Sequence, residues 1–153
     1  MRAMPLIIDG HNLIGKTPGL SLQDPDDEAQ LVVRLSRHGR RLRKQMLVVF
    51  DGAGSRGEGL TGSSWVKAQF AAGNADDAIV SRLRKLSDRA NYTVVTSDRD
   101  LAQRVERLGA RVQSSEAFAR EMQASAAGLE REESDVSPEE IAEWLEMFNN
   151  MSS

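Results

Sequence analysis

LIIDGHNL, Leu6 to Leu13, is the stretch on which the fold turns. Leu6, Ile7 and Ile8 form a continuous apolar run of the kind found in strands buried on both faces. An acid, Asp9, then interrupts it. Gly10 permits close backbone approach, and Asn12 adds an amide able to position a water or a phosphate. Similar runs recur outward along the chain as MLVVF (Met46 to Phe50) and YTVVTS (Tyr92 to Ser97), with shorter ones at WVKAQF (Trp65 to Phe70) and ARVQ (Ala110 to Gln113). WVKAQF alternates apolar with polar residues and therefore reads as lying near a sheet edge. Between these runs the apolar period becomes helical. Leu31, Leu35 and Leu42 stripe a helix from about Asp26 to Lys44, weakened by Gly39. Asn74 caps a helix carrying Ile79, Leu83 and Leu86; Leu101, Val105 and Leu108 mark another that stops at Gly109; Phe118 and Met122 mark a further one after Ser115. Strands alternating with helices predict an α/β fold with a mostly parallel central sheet flanked by helices.

The chain has 153 residues, 40% hydrophobic and 28% charged, the size of one domain. It has no cysteine, so disulfides, thiolate metal sites and cysteine nucleophiles are excluded. No apolar run approaches the ~20 residues needed to span a bilayer, and the short apolar stretch that ends in Asp9 is too brief for a signal h-region, so no signal sequence is expected. A cytoplasmic protein with no membrane partner is expected, and the N-x-S/T matches at Asn91 and Asn150 carry no meaning. The net charge of −3 is unevenly spread: residues 1–128 hold 19 Lys/Arg against 15 Asp/Glu, residues 129–153 hold 1 against 8. Residues 1–127 read as the main domain and 128–137 as an acidic linker. Residues 138–149 read as a C-terminal amphipathic helix, capped by Ser137 and docked on the domain through Ile141, Trp144, Leu145 and Phe148.

In an open parallel sheet, ligands bind beyond the carboxyl ends of the strands. Those ends are acidic here. Asp9 closes the first strand and Asp51 the second; Asp98 and Asp100 follow the fourth; Asp76 and Asp77 open a helix that starts near the same rim. Up to six carboxylates on one rim repel one another unless a cation or hydrogen-bond donors compensate. Hard oxygen ligands suit Mg²⁺ or Mn²⁺. Each acid also has a plainer role: Asp76 and Asp77 favour the helix dipole, Asp98 can cap, and Asp51 can start a turn.

Other motifs carry less. Gly52, Gly54 and Gly57 match G-x-G-x-x-G after a strand, but the following Gly/Ser/Thr-rich segment cannot open the helix that a dinucleotide fingerprint needs. A phosphoacceptor domain, with Thr96 as its switch residue, requires a Lys where this chain has Gln113. His11 and His38 are too few and too separated for a histidine metal site and read as surface or loop residues.

LIIDGHNL, VVFDG (Val48 to Gly52), NADDAIV (Asn74 to Val80) and VVTSDRDL (Val94 to Leu101), in this order and spacing, resemble the YacP-like NYN-domain family, bacterial relatives of the PIN-domain nucleases. The resemblance extends from about Met4 to Phe148. It implies a PIN-like three-layer fold and a divalent-metal-dependent ribonuclease. Endonucleolytic cleavage would leave a 5′-phosphate, in mRNA or ribosome-linked RNA processing. Asp9, Asn12, Asp76, Asp77 and Asp98 would form the catalytic centre, with the four Asp residues as metal ligands and Asp51 and Asp100 as further acids in support. RNA would be held by Arg34, Arg37, Arg40, Arg41, Arg43 and Lys44, a basic run without an intervening acid, and by Arg56 in the Gly-rich loop. Two alternatives stay open: a catalytically silent RNA-binding module, and a phosphoacceptor or phosphohydrolase domain.

Overall fold

The computed structural model describes residues 6–52 and 64–134. Arg56 and the segment read as a C-terminal helix lie outside the described residues. Among the described residues, five strands form one parallel sheet: β1 (Leu6–Asp9), β2 (Met46–Phe50), β3 (Val66–Phe70), β4 (Thr93–Val95) and β5 (Arg111–Gln113), in the order β3-β2-β1-β4-β5. WVKAQF is an edge strand, as its alternation predicts. β1 is central because its four residues are buried without exception, and only a strand with neighbours on both sides and helices on both faces can hide them all.

The helices are α1 (Gly10–Lys16), α2 (Asp27–Leu42), α3 (Ala75–Arg84), α4 (Arg99–Arg107) and α5 (Ser115–Ser134). The pleat sorts the core into two layers. Leu6 and Ile8 pack with Leu13 and Ile14 of α1, Leu31 and Leu35 of α2 and Phe118 of α5. Ile7 packs with Ile79 and Leu83 of α3 and Leu101 and Val105 of α4. Burying each such side chain contributes about 1.5–3 kcal/mol. The chain falls into two compact units, residues 1–122 and 123–153. Within the second, α5 runs to Ser134, over the first part of the segment read as an acidic linker. No helix among the described residues is long and apolar enough to cross a membrane.

Three local features depart from the sequence reading. α1 begins directly after Asp9, where no helix was expected, since Gly10 and Gly15 weaken its seven residues. A Cβ at Gly10 would collide with the ring of Phe50, so the close approach that Gly10 permits is that of β2. α2 ends at Leu42, and Arg43 turns the chain with φ 55°. A Cβ at Gly39 would stand 3.0 Å from the Lys44 carbonyl and 3.1 Å from Trp65 Cβ, so this glycine makes room for the chain folding back. Finally, His38 is buried, not a surface residue: it stands on the core side of α2, edge-on to Phe118 with ring centroids 5.4 Å apart.

Candidate active site

Register brings the acids together. Ile8 pairs with Val95, so the next residues, Asp9 and Thr96, stand side by side at the carboxyl ends of β1 and β4. This is where the strand order reverses direction from β1 to β4, the switch point at which open α/β sheets bind ligands. Asp9 follows the alternation of Ile7 and so belongs to the face covered by α3 and α4.

Asp9 occupies the N-cap position of α1, yet its side chain makes no capping bond. Thr96 Oγ1 donates to Asp9 Oδ2 at 3.0 Å and accepts from the Asp98 N–H at 3.1 Å. Burial pushes the Asp9 carboxyl up to about 6; the Thr96 hydroxyl lowers it, and the charges of Asp76, Asp51 and Asp98 raise it. Asp76 is also raised, first by burial, then by the charges of Asp98 and Asp51 and by a hydrogen bond with Asp98. Four carboxylates from four elements therefore sense one another.

Each of the other three has its place fixed. Asp51, at the end of β2, accepts the N–H of Ala75 through Oδ1, which ties the start of α3 to the rim. Asn74 caps the same helix, accepting the Asp77 N–H at 2.8 Å. Asp98 caps α4 through Oδ1, accepting the N–H groups of Asp100 and Leu101 at 2.9 and 3.3 Å. The plain capping role and the rim position thus coexist in Asp98, whereas Asp9 has only the rim. α1, α3 and α4 begin beside these acids, and their N-terminal dipoles favour negative charge.

The remaining site candidates are placed differently. Asp77 pairs with Arg104 Nη2 at 3.1 Å and is two-thirds exposed; neither it nor Asp100 is among the main charges acting on Asp9 and Asp76. Asn12 Oδ1 accepts from the Ser97 N–H at 2.8 Å and the Ser115 hydroxyl at 2.6 Å, stitching α1 to the start of α5. Arg34 donates to the Pro18 carbonyl at 2.9 Å. α2 starts near the rim and runs back toward the start of β2. Arg40, Arg41, Arg43 and Lys44 consequently lie at the opposite edge of the sheet, close in sequence to Met46. Lys44 also follows the turn at Arg43, so it does not share a helical face with Arg37.

Sequence reading passed over Thr96 as an orienting group and Glu116 altogether. Glu116 accepts from Ser97 Oγ at 2.6 Å and meets Lys16 Nζ at 3.4 Å; the Ser97 hydroxyl, foremost, holds its carboxyl below the usual range. It also missed Asp27 and Glu28, an acidic pair that is buried beside His11, and His11 itself is a helical residue rather than a loop one. The only signal was two adjacent acids at a helix start, which is ordinarily a solvated arrangement.

A family model described as the YacP-like NYN domain matches residues 6–149. Among solved structures, the chain is similar to Rae1 (YacP) from Bacillus subtilis. The TM-score is 0.76 at 22% identity, covering 95% of this chain and 88% of that one. A single-substitution variant of Rae1 gives a TM-score of 0.69 at 25% identity, covering 82% and 79%. No curated protein matches.

Proposed function

The chain belongs to the YacP-like NYN domain family, a nuclease-type, RNA-related domain, and from that premise we propose that it is a divalent-metal-dependent ribonuclease that hydrolyses RNA phosphodiester bonds endonucleolytically, leaving 5′-phosphate ends. The observation that carries this reading is Asp9. Its carboxylate is buried at the switch point, does not cap the helix it precedes, and is pushed up to about 6 by burial and by three neighbouring acids. Stability alone does not favour such a group; a cation would make it favourable.

The donor set fits Mg²⁺ or Mn²⁺, with Asp9, Asp76 and Asp98 as the residues that would hold it and all donors hard oxygens. When bound, such an ion lowers the pKa of a coordinated water and screens the non-bridging phosphate oxygens. Thr96 keeps one Asp9 oxygen fixed by its donated hydrogen bond, so the carboxylate is oriented before substrate arrives. Asp51 sets the start of α3 and with it Asp76. Asp77 acts through Arg104, and Asn12 acts by holding the β4–α4 connection against α1 and α5; both are positioning residues in this reading. Asp100 takes part only through its N–H, which Asp98 accepts. No protein nucleophile is required.

RNA would approach the rim past Lys16 and Arg104, with Arg34 and Arg37 of α2 and Arg56 adding phosphate contacts. Arg40, Arg41 and Lys44 could be reached only by a strand running the length of α2, about 24 Å for 16 residues. So modestly basic a surface fits an enzyme in the cytoplasm that takes its specificity from a further partner such as the ribosome. The test is cleavage of 5′-labelled single-stranded RNA by the pure protein. Cutting should require Mg²⁺ or Mn²⁺, cease in EDTA, and fall by at least ~10³-fold in Asp9→Asn. Unimpaired cleavage in EDTA, or by Asp9→Asn, would remove the metal mechanism.

A further inference from the structure

A second cluster of ligating atoms lies on the other helical layer and borders the rim at Asp51. His11 in the first turn of α1 meets Asp27 and Glu28 in the first turn of α2, and one potential ligand atom from each lies within 4.8 Å of the others. His11 Nε2 stands 3.2 Å from Glu28 Oε1. Neighbouring ligands of a tetrahedral ion with bonds near 2.0–2.1 Å are separated by roughly 3.3 Å, so this edge already has the right length. Asp27 and Glu28 are 3% and 5% exposed, so most of their hydration is already lost on folding. The other imidazole nitrogen, Nδ1, faces Asp51 Oδ2 at 3.7 Å. That separation is longer than a hydrogen bond; drawn in to about 3 Å, a carboxylate behind a histidine that ligates through its far nitrogen would orient the ring and raise its basicity. The ring is backed by Phe50, with centroids 5.2 Å apart, which limits its rotation.

We propose that His11, Asp27 and Glu28 form a second metal site, distinct from the carboxylate rim and selective for a transition-metal ion of the Zn²⁺ class. Selectivity follows from the donors: an imidazole with two carboxylates favours a borderline ion, whereas Mg²⁺ prefers oxygen alone. Neither Asp27 nor Glu28 is among the main charges acting on Asp9 or Asp76, and the two clusters border on each other at Asp51. They are joined mechanically through Asp51, which faces His11 with one oxygen and anchors Ala75, next to Asp76, with the other. An ion at His11 would thus fix Asp51 and stiffen the start of α3. Without metal, burial, foremost, and the neighbouring Glu28 push Asp27 up to about 6, and an ion beside it would favour its ionised form.

The test uses the full chain, stripped with a chelator and returned to buffer containing millimolar Mg²⁺, which occupies oxygen-only sites. Calorimetric titration with Zn²⁺ should show one equivalent bound by the wild type and by Asp98→Asn. In Glu28→Gln the affinity should fall by at least tenfold. Because the chain has two histidines, imidazole NMR signals of the wild type give a second measure that does not depend on a variant folding: Zn²⁺ should shift His11 and leave His38 in place. No binding above the Mg²⁺ background, full binding by Glu28→Gln, or an unmoved His11 signal would overturn the proposal. Zinc lost in Asp98→Asn but kept in Glu28→Gln would put the ion on the rim, ending the second site while leaving the rim's metal chemistry intact.

Discussion

Among the described residues are two groups of acids, and they meet the same electrostatic problem with different partners. At the rim, Asp9, Asp51, Asp76 and Asp98 come from four elements and face one another, with one hydroxyl and backbone N–H groups as their partners. Beneath α1, Asp27 and Glu28 come from a single helical turn and have an imidazole against them. Burial works against the Glu28 charge, but hydrogen bonds with Asp27, its own backbone and His11 outweigh it and hold the carboxyl below the usual range. Asp9 goes the other way. Glu28 thus keeps its charge in the metal-free fold through its hydrogen bonds, whereas Asp9 and Asp27 are both pushed up to about 6, first by burial.

Removing one carboxylate from each group should therefore change metal-free stability with opposite signs. Glu28→Ala has the largest expected effect, a loss of about 2–4 kcal/mol, because Asp27 and His11 are left facing each other without the acid that joins them. Urea denaturation in EDTA measures it, and an unchanged midpoint would mean the inner cluster is not a compensated unit.

Asp9→Asn should instead raise stability by about 1–2 kcal/mol at pH 7 in EDTA. The sign follows from the folded carboxyl titrating near 6 against 3.8 as its reference. The native state holds the proton more tightly, so the penalty is absent below about 4, grows as pH rises, and is complete above about 6. The gain of the variant over the wild type should follow that window. Saturating Mg²⁺ should reverse the order, since only the wild type gains binding energy from the ion. A variant less stable than the wild type at pH 7 without metal would make Asp9 a structural acid.

Thr96→Val gives the smallest effect and sharpens the contrast within the rim. It removes the donor to Asp9 and the acceptor for the Asp98 N–H, which should cost about 1 kcal/mol and move the Asp9 titration higher still, as ¹³C NMR of the carboxyl carbons would show. An Asp9 titration unmoved by the substitution would show that the hydroxyl does not orient the carboxylate.

Much of this site was legible beforehand. Continuous apolar runs ending in acid placed Asp9, Asp51 and Asp98 at one edge of a parallel sheet, because parallel strands all end on the same side. An N-cap before two acids put Asp76 there too, because a crossover helix must begin where its strand ends. The edge position of WVKAQF and the caps at Asn74 and Asp98 follow from period and propensity, which are local, whereas the strand order β3-β2-β1-β4-β5 is set by which strands pair in the folded sheet. What tertiary structure decided is which of several acids with equal local claims does which task. Asp76 and Asp77 are adjacent on a helix and diverge by about 100°, so one turns to Asp98 and the other to Arg104. Asp9 precedes a helix and could have capped it, but Thr96, 87 residues away in sequence, takes its oxygen instead. Asp27, Glu28 and His38 carry no local mark of burial; His11 of α1 meets the acidic pair and Phe118 meets His38, and such packing depends on contacts between segments far apart in the chain. Local sequence supplied the candidates, and desolvation by distant segments chose among them.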